Sequence, residues 1–389
     1  MARARTSHAA RQPAGAEPAQ RAGADALYRA LTAQLTTAGC FRLATPRAVG
    51  YSIAVLGVYG GAYALLLSAP APWWRALAIA TLAFVSVHAG FIAHEAGHGA
   101  LTHNGRLVRT IGQVFNTLLT ALCFSYFQHI HRRHHPHCNE RERDPDMQSG
   151  AFSLYRESAA AKTGVGRLIS RYQAYLIWLL VWLQGFTLKI DSVKFLCRNP
   201  RVTLTDQVVL AAHIVLWFGP PVYVLGLRDA VVNYVLMALF VGPYLGTIFL
   251  VNHIGTRVVE PNDRLSHLVQ EASTTRNLGE SRVLDFLFGG LNHHIEHHLF
   301  PTIPSPRLRA ARPIIREFCR QHGIPYREMS WWQAAREVFR HLEAMSRFAS
   351  PPMQGAERGR DRMTDGRSTD QQEGEMSVRA GRGPLRTRP

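Results

Sequence analysis

Cysteine is scarce: five in 389 residues (Cys40, Cys123, Cys138, Cys197 and Cys319), none of them in a CxxC pair. That spacing excludes a zinc ribbon and a disulfide framework, and it fits a reducing compartment. Charge is also sparse, at 18% of residues. It is missing altogether from stretches of about 20 residues, the length that crosses a bilayer. Such runs divide the chain into membrane and aqueous parts, so length alone does not count domains here. Acidic residues are outnumbered by basic ones, 27 against 44, for a net charge of +17. Much of the arginine lies in the two tails and in loops beside apolar runs. Membrane orientation explains that pattern better than nucleic acid, and no nucleic-acid partner is expected. Residues 1–22 (MARARTSHAARQPAGAEPAQRA) contain no apolar core that could act as a signal peptide, and they read as a disordered cytoplasmic arm.

Histidine is concentrated. Five of 19 fall within nine residues, HIHRRHHPH at 129–137. On a helix, His131, His134 and His135 stand at i, i+3 and i+4 and share one face, the geometry of a metal ligand set. Imidazole suits Fe, Zn, Cu and Ni. Upstream, HEAGH puts His94 and His98 at i and i+4, which is also the zinc-protease pattern with Glu95 as general base. A protease site needs only one further ligand, however, and this chain offers two more clusters. The third, LNHHIEHHLFP at 291–301, repeats the i, i+3, i+4 spacing with His294, His297 and His298. Eight histidines are too many for one ion and suit two. His253 is a ninth candidate, with Asn252 competing for the same role. An all-nitrogen site for two redox metals favours iron, with open positions for oxygen. Glu95, Asp144, Asp146 and Glu296 are placed to orient ligating imidazoles by accepting their free N–H; for the aspartates, solvated loop charge is the competing reading. His88, His103, His129, His137 and His293 fall off the shared faces.

The apolar runs arrange these clusters. Leu27, Leu31 and Leu35 recur at i+4 spacing, which predicts a short amphipathic helix over 24–43 lying on the bilayer surface. Residues 50–69 cross, Pro70 and Pro72 reverse the chain, and residues 73–93 return, with Trp73, Trp74 and Arg75 at the far interface. Residues 107–127 are apolar but carry Arg109, Gln113 and Asn116. A full crossing there would put the first two clusters on opposite faces, so the expectation is a re-entrant or interfacial helix. The arginines of 128–171 mark that loop as cytoplasmic. Residues 172–190 are of marginal length and are followed by the basic segment 194–201, which again predicts an interfacial helix. Residues 206–226 and 231–251 form a second hairpin turned by Arg228 and Asp229. Its Gly219-Pro220-Pro221 and Gly242-Pro243 interruptions are expected to kink both spans and leave room for a narrow tunnel. After Pro301 the chain becomes soluble and helical, with a helix over 313–322 closed by Gly323 and an apolar stripe of Trp331, Ala335, Val338, Leu342 and Met345.

HEAGH, HRRHH and HHIEHH, together with RDPD at 143–146 and EHHLFPTIPSPRL after the third box, resemble the membrane fatty acid desaturase family from about Thr45 to Phe348. The resemblance implies an all-α integral membrane protein: about four transmembrane helices in two hairpins, interfacial helices, and a mushroom-like fold with a cytoplasmic helical di-iron cap. It implies two iron ions (Fe2+/Fe3+) with O2 as co-substrate, and a tunnel holding an acyl lipid, acyl-CoA or acyl-ACP substrate. The surroundings of the third box look like the front-end and bacterial acyl-lipid branches, where its first position is often Gln; here it is His294. Regioselectivity stays open. No soluble stretch before the first span is long enough for a fused b-type cytochrome domain. Ferredoxin, or a b-type cytochrome with its reductase, is the expected electron donor. The expected layout is an arm and amphipathic helix over 1–44, the desaturase domain over 45–349 and a disordered tail over 350–389, with both termini and the active site cytoplasmic. The alternatives are a lipid or carotenoid hydroxylase or ketolase built on an equivalent site, and an HExxH intramembrane zinc metalloprotease.

Overall fold

A computed structural model describes residues 17–69, 71–148 and 150–349. The first 16 residues of the expected arm, and the expected disordered tail, lie outside the described residues. The described chain is helical and contains no strand, only two isolated bridges between loops. The helices are α1 (Glu17–Thr37), α2 (Thr45–Ser68), α3 (Pro72–Gly97), α4 (Gly105–Gly112), α5 (Phe124–His134), α6 (Arg156–Ala161), α7 (Gly164–Leu180) and α8 (Gln184–Arg198). They continue with α9 (Leu204–Leu225), α10 (Leu227–His253), α11 (His267–Thr274), α12 (Arg282–Leu287), α13 (His294–Leu299), α14 (Ser305–Gln321) and α15 (Trp331–Ser346).

Five segments are long and apolar enough to cross a membrane: α2, α3, α9, α10 and the combined stretch Gly164–Arg198. The first four form two hairpins. In α2 and α9, Val49, Ile53, Val58, Val208, Ile214, Val215 and Tyr223 stand exposed, an apolar surface that suits lipid rather than water. α3 is the enclosed member, packed against α2 and α10. Gly226, with φ +81°, makes the turn of the second hairpin. Arg228 and Asp229, expected at that turn, instead lie in the first turn of α10, where Asp229 accepts from Arg75 at 2.8 Å and joins the two hairpins at one end. Pro220, Pro221 and Pro243 sit inside α9 and α10 without ending them.

The fifth candidate is two helices, because the chain tightens into a 3-10 turn at Val181–Leu183. That turn rests closely on α10, and glycines on both sides permit the approach. A Cβ on Gly242 would strike the Val181 and Trp182 carbonyls, one on Gly246 the Val181 side chain, and one on Gly185 the Ala238 carbonyl. One end of the stretch packs on α15, through Ala174 and Ile177 against Val338 and Leu342. The other end brings Phe195 to 5.0 Å from the ring of His129.

Between the first two histidine clusters the chain turns back on itself. α4 runs into a π-helical turn, Gln113–Leu118, and the helix then breaks at Ala121, whose φ of +58° is left-handed. The break frees backbone groups in an apolar setting, where each unpaired group is costly. Three carbonyls are claimed by three helices: Leu118 O accepts from His213 Nδ1 at 2.7 Å, Leu119 O from the Tyr59 hydroxyl at 2.8 Å, and Thr120 O from Lys189 Nζ. Three N–H groups are also met. Cys123 donates to Ser192 Oγ (3.1 Å), Phe124 to Thr117 Oγ1 (3.0 Å) and Ser125 to Asp206 Oδ1 (3.0 Å).

The amphipathic stripe of α1 meets protein rather than lipid. Leu31 and Leu35 are fully buried in a core with Ile295, Leu299, Leu308 and Ile315, and Tyr28 stacks on Phe300 at 5.1 Å. An i+4 stripe shows that an apolar partner exists without saying which one, and here α13 and α14 supply it. α14 also starts eight residues earlier than expected, at Ser305, and carries Pro313 inside it.

Asp206→Ala leaves the Ser125 N–H and hydroxyl, which Asp206 holds at 3.0 and 2.5 Å, without an acceptor. We expect a loss of about 1–3 kcal/mol in folded stability, read as a lower unfolding midpoint in detergent. The lipid-facing control Val208→Ala should stay within about 0.5 kcal/mol of the parent.

Candidate metal centre

The histidines arrive on separate elements. α3 ends beside His94 and His98, α5 carries His131 and His134, Pro136 follows His135 in a 3-10 turn, α10 ends on His253, and α13 carries His294, His297 and His298. They sort into two adjoining groups. His94, His98, His131, His135 and His297 each bring a ring nitrogen within 4.8 Å of the others; His134, Cys138, His253 and His298 offer ligand atoms within the same distance of one another. His294 belongs with the second group, its Nε2 standing 2.7 Å from His253 Nε2. The groups touch where the rings of His135 and His298 stack at 4.3 Å. The i, i+3, i+4 spacing therefore divides each box between two subsites: His131 and His135 face one while His134 faces the other.

Ring nitrogens converge: His131 Nε2 lies 2.8 Å from His98 Nε2 and 3.0 Å from His135 Nε2, and His297 Nε2 is buried without a partner. Each neutral imidazole has one N–H and one lone pair, so a ring whose N–H is directed outward turns its lone pair to the common centre. A cation in each group would take those lone pairs together, and the residues present thus fit metal. Burial holds His131, His135, His297 and His298 well below the usual imidazole range, which keeps them neutral and able to ligate.

Behind the rings, acceptors fix the orientation. His298 Nδ1 donates to Glu271 at 3.0 Å, and His253 Nδ1 donates to Thr274 O at 3.3 Å with Cys138 Sγ at 3.4 Å. His134 Nδ1 donates to Asp144 at 3.0 Å, with Asp146 at 3.4 Å. Donation from Nδ1 leaves the Nε2 lone pair facing inward. Burial opposes charge on His134, yet the Asp146 and Asp144 carboxylates raise it to about 9, so a cation bound there must displace the Nε2 proton. Asn252 adjoins His294, its amide nitrogen 3.3 Å from Nδ1, while its Oδ1 is buried without a hydrogen-bond partner.

Two carboxylates expected behind imidazoles are elsewhere. Glu95 accepts the Ser305 N–H at 2.7 Å and ties α3 to α14, while Glu296 accepts from Asn277 at 2.8 Å and from the Tyr326 hydroxyl. Each is a sequence neighbour of a ligand, and on a helix adjacent residues point about 100° apart. Of the remaining histidines, His88 lies between Tyr51 and Tyr244, His137 meets Glu140, and His293 lies between Asp285 and Arg312. His129 packs near Phe195, and His103 is exposed. Sequence reasoning missed Glu271 and Cys138. Neither belongs to a box, and the only trace of Glu271 is a lone acid beside Leu268, Val269 and Ala272.

Membrane-length helices joined to histidine clusters able to hold metal define the class: a multi-pass membrane protein with a metal-dependent centre. Residues 68–330 match the fatty acid desaturase family, and the chain belongs to it. The matched stretch includes every histidine of both groups. Among its relatives, Delta(8)-fatty-acid desaturase 2 of Arabidopsis thaliana is 25% identical over 331 residues, covering 79% of this chain and 72% of the relative. The Delta(8)-fatty-acid desaturase of Borago officinalis is 27% identical over 326 residues, with the same two coverages, 79% and 72%. The acyl-lipid (8-3)-desaturase of Thraustochytrium sp is 26% identical over 325 residues, covering 81% and 73%.

Removing the carboxylate behind His298 should loosen the metal without emptying the fold. Glu271→Ala is expected to weaken metal binding by about 10–100-fold in competition with a chelator. Glu271→Gln, which keeps an acceptor oxygen, should recover most of that loss. Equal affinity in all three proteins would show that His298 needs no such support.

Proposed function

We propose that this oxidoreductase introduces a double bond into the acyl chain of a membrane lipid, using two iron ions and O2. Nine imidazoles in two adjoining groups carry the reading. His94, His98, His131, His135 and His297 would hold one iron, and His134, His253, His294 and His298 the other. A mostly nitrogen ligand set suits iron, and two redox ions supply the oxygen-dependent removal of two hydrogens from adjacent methylenes. The chain's own part is position. Unactivated methylenes offer no polar handle, so the protein must fix which carbons meet the centre.

A cavity of about 560 Å3 supports an amphiphilic substrate, its lining mixing Ala48, Phe91 and Leu101 with Tyr51, Glu95 and Arg282. The relatives' names support an acyl-lipid carrier. The protease reading is disfavoured by Glu95, which is turned toward Ser305 N–H rather than toward a metal-bound water.

For topology, we propose four spans, with Gly164–Arg198 lying along the interface. The support is its break at Val181–Leu183 and the contacts of its two ends, one on α15 and the other beside His129. The arginine-rich loops beside the apolar runs support a cytoplasmic metal centre and cytoplasmic termini. Residues 45–349 form the catalytic domain, and electrons come from a separate ferredoxin or b-type cytochrome.

Purified protein should carry about two iron atoms per chain by elemental analysis, since nine imidazoles give each ion four or five ligands. Membranes containing it, supplied with oxygen, a reduced donor and a long-chain acyl lipid, should accumulate a product lighter by two hydrogens. A product heavier by one oxygen would identify a hydroxylase, and oxygen-insensitive peptide cleavage would reject the oxidative reading. His294→Ala and His253→Ala should each lose most activity. His294→Gln should keep a measurable fraction, because an amide oxygen can still reach the metal.

A further inference from the structure

Arg132 and Arg133 stand on α5 between ligands of the two groups, directly after His131 and directly before His134. Both are exposed, and neither is hydrogen-bonded or ion-paired among the described residues. α8 runs beside α5 in the same direction. Cys123 N–H meets Ser192 Oγ at 3.1 Å, and the rings of Tyr126 and His129 lie 5.7 and 5.0 Å from Phe195. One turn further along, Arg132 and Arg133 therefore neighbour Arg198, which is also exposed and unpaired, with Arg201 close behind it. Most acids nearby are already committed: Asp191 to Lys194, Glu140 to His137 and Arg143, and Asp146 toward His134. Glu142 alone has no partner. The result is a ridge of net positive charge over backbone that touches both metal groups.

Desaturation makes that position useful. Reducing one O2 to two waters takes four electrons and four protons; the substrate gives two of each as its double bond forms, and an outside one-electron donor must deliver two electrons while solvent supplies two protons. We propose that the ridge formed by Arg132, Arg133 and Arg198 is the docking surface for an acidic one-electron donor protein. A donor seated there faces backbone whose adjacent Cα atoms, about 3.8 Å away along the chain, belong to ligands of both groups. Complementary charge steers such encounters and accelerates association. Arg198, at the end of the interfacial stretch Gly164–Arg198, also lies within reach of lipid headgroups, so Arg132 and Arg133 are the part of the ridge that favours a protein partner. Ser125 is bonded to Asp206 in the first turn of α9, where the second hairpin begins, and Arg132 lies about 10 Å further along α5.

The inference rests on the desaturase reading, and the experiment separates the two. Full-length, iron-loaded protein is placed in neutral phosphatidylcholine nanodiscs, and reduction of its metal centre is followed by stopped flow. The reductant is either dithionite or an acidic [2Fe–2S] ferredoxin. The ferredoxin rate of the parent should fall as salt is added. The Arg132→Glu/Arg133→Glu protein should be slower by about tenfold or more at low salt and should lose most of the salt dependence. Arg198→Glu should give a smaller loss, and Arg336→Glu, at an exposed position of α15, none. Iron content and dithionite reduction should match the parent, and Arg132→Gln/Arg133→Gln should show an intermediate ferredoxin rate. A ferredoxin rate indifferent to charge reversal, with dithionite reduction intact, overturns the ridge while leaving the desaturase reading standing. So does a reversal that weakens binding to phosphatidylserine vesicles without slowing ferredoxin. No reduction of the parent by dithionite overturns the desaturase reading itself.

Discussion

An unwound stretch of backbone in an apolar setting has to find partners for its N–H and C=O groups, and the rest of this molecule depends on how residues 118–125 do so. Tyr59, Lys189 and His213 claim the carbonyls, while Ser192, Thr117 and Asp206 accept from the amides. Those side chains come from three distant helices, α2, α8 and α9, and from the π-helical turn just before the break, so the break is held by tertiary contacts as well as by its own neighbour. Once it forms, α5 is aimed back toward the end of α3, and the second histidine box reaches the first. A helix that kept its ladder intact through Ala121 would have carried His131 away from His94.

The same economy operates around α13. Six residues are too few to hold a helix by themselves, and α13 is set from every side: by α1 and α14 through Leu299 and Phe300, by Glu271 on His298, and by Asn277 and Tyr326 on Glu296. Two fully buried arginines brace the neighbourhood. Arg276 reaches Glu337 at 2.8 Å and the Ile254 carbonyl; Arg312 reaches Glu328 at 2.8 Å, the Leu278 carbonyl at 2.9 Å and His293 at 3.1 Å. Buried charges of this kind are costly unless paired, and a well-formed pair favours one arrangement over its near alternatives. Here that arrangement is the one in which α13 presents three imidazoles to two groups at once. Crowded neutral rings repay little by themselves, and a cation bound among them would stabilise this region.

Much of the fold and of the centre was legible in residue spacing. Uncharged runs marked four of the five stretches that the structure shows as long and apolar enough to cross, and Arg109, Gln113 and Asn116 marked the segment between the boxes as one expected not to cross, where the structure has a π-helical turn and a break. Helical His spacing picked out the eight box histidines, all of which the structure gathers, with His253 beside them. Other features were not legible. The stripe of Leu27, Leu31 and Leu35 looks the same whether it faces lipid or α14. Glu95 and Glu296 looked like supports for imidazoles because they adjoin them in sequence, but adjacency on a helix is divergence in space. Glu271, the support actually present, is 27 residues from the ring it holds.

What the sequence by itself determined, then, is everything set by local periodicity and composition: which stretches are apolar enough for a membrane, which faces carry imidazoles, and that the histidines able to ligate outnumber the needs of one ion. Those properties repeat every turn or every span, so a single chain displays them without a fold. The tertiary structure alone decided how the histidines divide between two groups, that His253 and Cys138 stand with them, and that Glu271 rather than Glu95 or Glu296 lies behind a ring. It also decided where α1 packs. Each of these is a contact between residues remote in sequence, made under the requirement that every buried polar group find a partner. No local pattern records which partner that will be.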